Sequence, residues 1–406
     1  MDRKEKNILF ITNLHLWSLD KGKGGSAFIN TVEGYKNAGW VVWFISTGGG
    51  IPDNIISNEK LYENAYPKLD KLWSSRIRIV SICARFLKMF LLNKYYFKTG
   101  SEILSNKKND KFIIYAYETD AVSAAKKLSQ KFKFPLVTRF QGTKHNKTTD
   151  NLFNRIRKAP NLQAYKTKAN LTIMTNDGTQ GLETLQRLGN KSTEIVFWRN
   201  GVAKVSEDLL GIRDHFREQF VFKNYYIFLT VSRLVGWKKV DRAINAFSIV
   251  NKKFPETRLI ILGDGDAKND LIYLTENLGL KEYVIFKGAV EQKLVSNYMI
   301  AADAFLSFYD LSNVGNPLME AMMCGKPIIT LDVGDTKELI KNNENGILLP
   351  VNKLQDIPDK MIKIIEDKNF AFKIASGALK TAQSEFWSWE ERISVEISKV
   401  ELLLEY

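Results

Sequence analysis

Short apolar runs recur along the chain, each followed by a polar loop and then by residues spaced for a helix. In the first half the pattern predicts strands at Ile8–Ile11, Val41–Ile45, Phe112–Tyr115, Leu136–Arg139, Leu171–Met174 and Ile195–Trp198. Helical spacing falls over Ala27–Ala38, around Ala121–Phe132 and near Gly178–Arg187. The same alternation repeats from Tyr226 to Leu349. Strands that are apolar on both faces and separated by helices predict parallel sheets in α/β domains. A break around Asn200–Leu210 divides the pattern into two Rossmann-like domains, 1–205 and 206–385. An aromatic turn, Phe386-Trp387-Ser388-Trp389, then opens a last amphipathic helix within 386–406.

Composition narrows the class. The 406 residues are 45% hydrophobic, enough for two ordinary cores. The chain opens Met1-Asp2-Arg3-Lys4-Glu5-Lys6 and passes directly into a four-residue apolar strand, too short for an export signal. No apolar run reaches about 18 residues, so no spanning helix is expected. Two distant cysteines, Cys83 and Cys324, fit a reducing, cytoplasmic setting. Three histidines (His15, His145, His215) without clustered cysteines argue against a histidine- or thiolate-based metal site. Charge is uneven: residues 1–205 carry 34 Lys+Arg against 16 Asp+Glu, whereas 206–406 carry 25 against 29. A basic half beside a near-neutral one points to an anionic partner for the first.

The chemistry concentrates in residues 303–332. A short strand (Ala304–Phe308) leads through a polar loop to a helix opening at Pro317, and a second strand follows at Pro327–Leu331. Asn316 suits the N-cap, and Pro317 suits the first turn because its missing N–H would be unpaired there anyway. Gly315 lets backbone approach a ligand, and the helix start favours an anion. Glu320, one turn in, is placed to accept from a ribose hydroxyl. Upstream, the strand Leu229–Leu234 ends in Ser232-Arg233-Leu234, and Lys238 follows Arg233 by five residues. Such a pair of cations can clamp both phosphates of a leaving nucleotide diphosphate. Next come Leu262-Gly263-Asp264-Gly265, a glycine turn after a buried strand, and Phe286-Lys287-Gly288.

Taken together these stretches resemble the donor half of the retaining glycosyltransferases of family 4, in the GT-B class. That family carries an Arg-x4-Lys pair, a Gly-Asp-Gly turn, a Phe-x-Gly loop and a Glu-x7-Glu loop-helix in this order. Counting back from Glu320, the family's first glutamate falls on Ser312, and the nearest carboxylate is Asp310. The resemblance thins toward the N-terminus, where Gly24-Gly25 follows the family's opening pattern and Gln141 occupies the place of a strand-end histidine. It implies two facing Rossmann-like domains with a cleft between them and a C-terminal helix crossing back to the first. It also implies a retaining, metal-independent glycosyltransferase that uses a nucleotide sugar and needs no cofactor. Arg233, Lys238 and Glu320 are then the catalytic candidates. The donor-binding candidates are Gly25, Gln141, Gly263, Asp264 and Lys287, with the loop Ser312, Asn313, Val314, Gly315, Asn316, Pro317 and Leu318. The basic first half implies a lipid-linked or anionic glycan acceptor, as in cell-surface polysaccharide assembly. The alternative is a non-catalytic nucleotide-sugar binder.

One further segment stands out. Residues 68–98 hold eight Lys or Arg against a single acid, Asp70, interleaved with Trp73, Phe86, Phe90, Tyr95, Tyr96 and Phe97. Apolar residues at helical spacing with flanking cations suit a helix lying on an anionic bilayer surface; an equally ready reading is a helix packed on its own domain with a basic outer face. No recognition motif for nucleic acid accompanies the charge. Asp264-Gly265-Asp266 has the look of a metal-binding Asp-x-Asp, but ending a buried strand it reads as a turn. Gly48-Gly49-Gly50 lacks the spacing of a dinucleotide fingerprint.

Overall fold

The structure, a computed structural model, describes residues 5–14, 26–46, 58–61, 68–69, 72, 77–105, 107, 110–143, 152–203, 205, 209–219 and 224–405. Gly25, the flanking Gly24, the Gly48–Gly50 run, and Asp70, Lys71, Trp73 and Arg76 of the basic segment lie outside the described residues.

Thirteen strands among the described residues form two parallel sheets. The first contains β1 (Lys6–Thr12), β2 (Val41–Ser46), β3 (Asn58–Leu61), β4 (Lys111–Tyr117), β5 (Leu136–Phe140), β6 (Leu171–Thr175) and β7 (Glu194–Trp198), in the order 3-2-1-4-5-6-7. The second contains β8 (Tyr226–Val231), β9 (Thr257–Leu262), β10 (Val284–Gly288), β11 (Ala304–Ser307), β12 (Ile328–Asp332) and β13 (Ile347–Pro350), in the order 10-9-8-11-12-13. Each sheet thus grows outward from its first strand in two directions, the doubly wound arrangement that opens a crevice at the carboxyl ends of the strands.

The strands form here because they are buried on both faces. In β1, Ile8 and Phe10 enter one core with Phe28, Val32 and Tyr35, while Leu9 and Ile11 enter the other with Leu92, Tyr96 and Ile114. The second sheet repeats this: Leu229, Ile260 and Phe305 face one side, Phe228, Ile261 and Leu306 the other.

The chain's last helix, Trp389–Leu402, returns to the first sheet. Ile393, Ile397 and Val400 join the core of Phe28, Val32 and Tyr35. Its start is fixed by a capping box, in which Ser388 accepts from the Glu391 N–H and Glu391 accepts from the Ser388 N–H. Beneath it Arg139 of β5 is fully buried and pairs with Glu396 at 3.2 Å, while Arg392 holds the same carboxylate at 3.0 Å. Burial opposes ionisation of Glu396, but the two guanidiniums outweigh it and hold its pKa below the ordinary carboxylate value.

The carboxyl ends of the two sheets turn toward each other. Residues just past β6 and β7 touch residues just past β11 and β12: Ser312 donates its hydroxyl hydrogen to the Asp177 carbonyl at 2.6 Å, the Asp335 N–H donates to the Gly178 carbonyl at 2.9 Å, and Asn200 donates to Asn316 at 3.1 Å. Gly178 sits at φ +74°, and a Cβ there would lie 2.3 Å from Ser312 Oγ. The contact therefore depends on that glycine.

Candidate functional site

Four strand ends of the second sheet carry the sequence candidates. Arg233 and Lys238 follow β8, Gly263 and Asp264 follow β9, Lys287 lies in the last turn of β10, and residues 312–320 follow β11. The strand Tyr226–Val231 stops before Ser232, so Arg233 lies in the loop and not in the strand. Arg233 is exposed. Lys238 ends a short 3-10 turn, Gly236–Lys238, and its ammonium lies 4.2 Å from the Trp237 ring centroid and 3.8 Å from that of Tyr309. The Tyr309 hydroxyl donates to the Val231 carbonyl at 2.9 Å, which anchors the ring to the end of β8. An ammonium on two aromatic faces is oriented by them without its charge being neutralised by the rings.

Gly263, at φ +132°, occupies a backbone region closed to other residues, and a Cβ would lie 1.8 Å from the Ser232 carbonyl oxygen. This close approach sets the loop that carries Arg233. Asp264 is exposed, pairs with Lys268 at 3.0 Å and accepts from the Gly265 N–H at 2.8 Å. The hydrogen bond from Lys268 holds its pKa below the usual value. Asp264-Gly265-Asp266 is accordingly a turn.

In the loop after β11 the structure alters several expected roles. The helix spans Asn316–Met323 with Gly315 as its extended N-cap and Pro317 in the first turn, so Asn316 is one residue inside the helix. The Asn316 side-chain oxygen accepts from Asn200 instead of capping the backbone. Asn313 is buried, its oxygen accepting from the Tyr309 N–H at 3.0 Å and its amide donating to the Leu331 carbonyl at 3.1 Å. Its amide thus braces the loop itself. Val314 is buried and its N–H donates to Ser312 Oγ at 3.0 Å; the Gly315 N–H donates to the Asn313 carbonyl at 2.9 Å. Leu318 is a core residue beside Phe305 and Met322. Asp310 does not stand in for the missing glutamate, because Arg242 holds its carboxylate at 2.7 Å with Lys239 at 3.9 Å. Among the described residues Glu320 accepts from a neutral group, Gln292, at 3.0 Å, and burial pushes its pKa up to about 7 against that hydrogen bond.

The first sheet presents polar groups to the same space. Gln141, just past β5, donates to the Tyr117 hydroxyl at 2.7 Å, and its N–H donates to Glu118 at 2.8 Å. Burial raises the Glu118 carboxyl to about 7, with the neighbouring Asp120 and Asp177 adding to the effect. Asp177 is likewise raised to about 7 by burial, offset in part by hydrogen bonds from Thr179 and by the charge of Lys238 in the opposite half. Glu118, Asp177 and Asn200 were not singled out from the sequence. The available signal was only their place, each two or three residues past the end of a predicted strand, and for Asp177 and Asn200 a following glycine. Among the described residues no group of three or more His, Cys, Asp or Glu has the arrangement of a metal site.

Two facing doubly wound sheets, bridged at their carboxyl ends and closed by a terminal helix that returns to the first, define the GT-B fold. Within this chain residues 212–381 match the family model of the group 1 glycosyl transferases. The N-acetyl-alpha-D-glucosaminyl L-malate synthase of Bacillus anthracis is 25% identical over 172 residues, 42% of this chain and 44% of that protein. The poly(ribitol-phosphate) alpha-N-acetylglucosaminyltransferase of Staphylococcus aureus (strain COL) is 25% identical over 151 residues, 36% of this chain and 30% of that one. The match therefore spans less than half the length of these curated relatives. The crystal structure of Anabaena Alr3699/HepE in complex with UDP and glucose is similar over 96% of this chain and 99% of that one, with a TM-score of 0.70 at 19% identity. At that identity the likeness is one of fold.

Proposed function

We propose that this chain is a retaining, metal-independent glycosyltransferase. A nucleotide-diphosphate sugar would lie along the carboxyl edge of the second sheet, and the acceptor against the first. The observation that carries the reading is the placement of Lys238: an ammonium held on Trp237 and Tyr309 at the strand ends, beside an exposed Arg233, and near enough to Asp177 of the other half to act on its charge. The group 1 match over 212–381 supports the same edge as the donor side.

In this reading Glu320 accepts from the ribose hydroxyls, while Arg233 and Lys238 stabilise the diphosphate. The bond from the sugar's anomeric carbon to the phosphate oxygen breaks, and the acceptor oxygen forms its bond on the same face. The acceptor's proton passes to the departing phosphate oxygen. Catalysis is then mostly positioning and stabilisation of the leaving group.

An anionic acceptor fits the basic first half, and two relatives carry names that include anionic molecules, L-malate and poly(ribitol-phosphate). A lipid-linked acceptor fits the helix Arg78–Ser105. Its second half is packed in the core through Leu92, Tyr96 and Leu104, whereas Ile79 (64% exposed), Phe86, Leu87 and Phe90 (65% exposed) line its open first half. Lys94 and Lys98 are exposed nearby, while Arg85 is bound to Asn161 at 2.6 Å. This face would rest on an anionic bilayer on the cytoplasmic side. No helix among the described residues is long and apolar enough to cross a membrane.

The test is a thermal-shift screen of nucleotide sugars, since a ligand at 100 times its dissociation constant adds about 2.7 kcal/mol. A stabilising donor should then be hydrolysed slowly alone and transferred with retained anomeric configuration when acceptor is added. An inverted product would overturn the retaining mechanism, and no stabilisation by any nucleotide sugar would overturn the function.

A further inference from the structure

We propose that Asn200 is the positioning residue that sets the two sides of the cleft relative to each other, and that the C-terminal helix holds it in place. The expected effect on rate rests on the glycosyltransferase reading; the expected effect on structure does not.

One side chain serves three partners. Asn200 Nδ2 donates to Gln141 Oε1 at 3.1 Å and to Asn316 Oδ1 at 3.1 Å, and its Oδ1 accepts from Arg139 Nη2 at 3.2 Å. Gln141 lies just past β5 and Asn200 just past β7 of the first sheet, whereas Asn316 begins the helix after β11 of the second. An asparagine has two donor hydrogens and a carbonyl oxygen, and this arrangement uses both kinds of group. Aspartate keeps the acceptor for Arg139 but loses both donors, so it separates the bond to Arg139 from the bond to Gln141 on the same side and the bond to Asn316 that spans the cleft.

The residue is also gripped from behind. Arg392 Nε donates to the carbonyl of Arg199 at 3.1 Å, and the Val202 N–H donates to the carbonyl of Trp387 at 2.9 Å. The main chain on each side of Asn200 is thus fixed by the segment that leads into and forms the last helix. Arg139 in turn is held by Glu396 of that helix at 3.2 Å and by Thr31 at 2.5 Å. The contacts run without a break from the terminal helix, through Arg139 and Asn200, to the first residue of the helix after β11. A displacement of about 1 Å at reacting groups can cost a hundredfold in rate. A device of this kind gives a role to the fully buried charge cluster under the terminal helix.

The experiment compares the full chain with Asn200→Ala, Asn200→Asp and Glu396→Gln. Amide hydrogen exchange is read without ligand over peptides covering 136–143 and 316–323, with thermal unfolding as the check on folding. Both Asn200 variants should unfold near the parent temperature yet exchange several-fold faster at the start of 316–323, and Glu396→Gln should show the same change more weakly. With the best donor from the screen, kcat should fall about tenfold or more in both Asn200 variants while KM for donor moves less than about threefold. Should Asn200→Ala fail to fold, Asn200→Asp decides the matter. Unchanged exchange in a folded Asn200 variant overturns the proposal whether or not any sugar is transferred. A parent inactive with every nucleotide sugar overturns the functional reading alone.

Discussion

Ser312 and Asp177, 135 residues apart, are joined by a 2.6 Å hydrogen bond from the serine hydroxyl to the aspartate's main-chain carbonyl. The same hydroxyl accepts from the Val314 N–H, so both of its roles are taken. By the family resemblance this is the position of a glutamate beside the transferred sugar. Here it is a junction between the two halves, covered by Gly178.

Ser312→Glu should therefore lower activity. The carboxylate cannot donate to the Asp177 carbonyl, and it would set a negative charge against that oxygen in a buried place. Ser312→Ala loses two neutral hydrogen bonds, each worth about 1 kcal/mol, adds no charge, and should be the milder change. The check is kcat/KM of both variants with the best donor. Higher activity in Ser312→Glu would mean that the loop still presents this position to the sugar.

Arg233→Ala and Lys238→Ala should each lower turnover by one to three orders of magnitude, from about 2–4 kcal/mol of lost charge stabilisation in the transition state. Both should stay folded, because Arg233 is exposed and Lys238 lies on the surface of two rings. Tyr309→Leu should act in the same direction by releasing one of those rings. Parent-like rates in the two cation variants would remove the diphosphate clamp from the mechanism.

Much of this site was legible because it is local. Leu259–Leu262 is apolar on both faces and could only be an interior strand, and Gly263 had to follow it where the chain passes close to Ser232. Pro317 marked a helix start to within one residue, since proline is tolerated in the first turn whichever neighbour caps it. Asn313 was harder to read: an amide in a polar loop looks ready for hydroxyls, yet it is consumed by Tyr309 and Leu331. Glu118, Asp177 and Asn200 had no local pattern to announce them. They acquire a role only through the strand order 3-2-1-4-5-6-7, which lines up the ends of β4, β6 and β7 opposite the second sheet.

With Glu320 on the ribose as proposed, donor binding should depend on pH. Burial raises its pKa to about 7, so below that value the carboxyl is protonated and accepts poorly from ribose hydroxyls. Donor affinity should strengthen as pH rises through 7, by up to about tenfold per unit below the pKa. The stability effect has the opposite sign. A carboxyl with a raised native pKa binds more proton folded than unfolded, so its contribution is lost as pH rises from about 4.5 to 7. Glu320→Gln should flatten both dependences and weaken donor binding by about 1.5–3 kcal/mol. Titration of donor affinity from pH 5.5 to 8.5 in parent and variant provides the check, and an identical pH profile in the two would exclude Glu320 as the source.

Chelation should leave transfer intact. The proposed clamp supplies its positive charge from Arg233 and Lys238, and Asp264 is already paired with Lys268. The measurement is the transfer rate with excess chelator, then with Mg2+ or Mn2+ restored. Loss of activity that returns with the ion would replace the clamp by a metal-assisted mechanism.

The exposed face of Arg78–Ser105 leads to the last expectation, that the chain binds vesicles containing anionic lipid. Ile79, Leu87 and Phe90 stand open on the first half of the helix, while the second half is locked to the core by Leu92, Tyr96 and Leu104. The fixed half holds the open half at the surface, so insertion requires no unfolding. Each cation near an anionic surface adds about 1 kcal/mol, and burying a phenylalanine side chain adds about 1.5–3 kcal/mol. Phe90→Asp should accordingly reduce partition into such vesicles by at least about tenfold, with little change in thermal unfolding because the side chain is already solvated. Lys94→Glu with Lys98→Glu should weaken binding most at low salt, whereas Phe90→Asp should weaken it at all salt concentrations. Co-sedimentation with vesicles of phosphatidylcholine alone, and with added anionic lipid, separates the two contributions. Equal binding of parent and Phe90→Asp would place the contact surface elsewhere on the molecule.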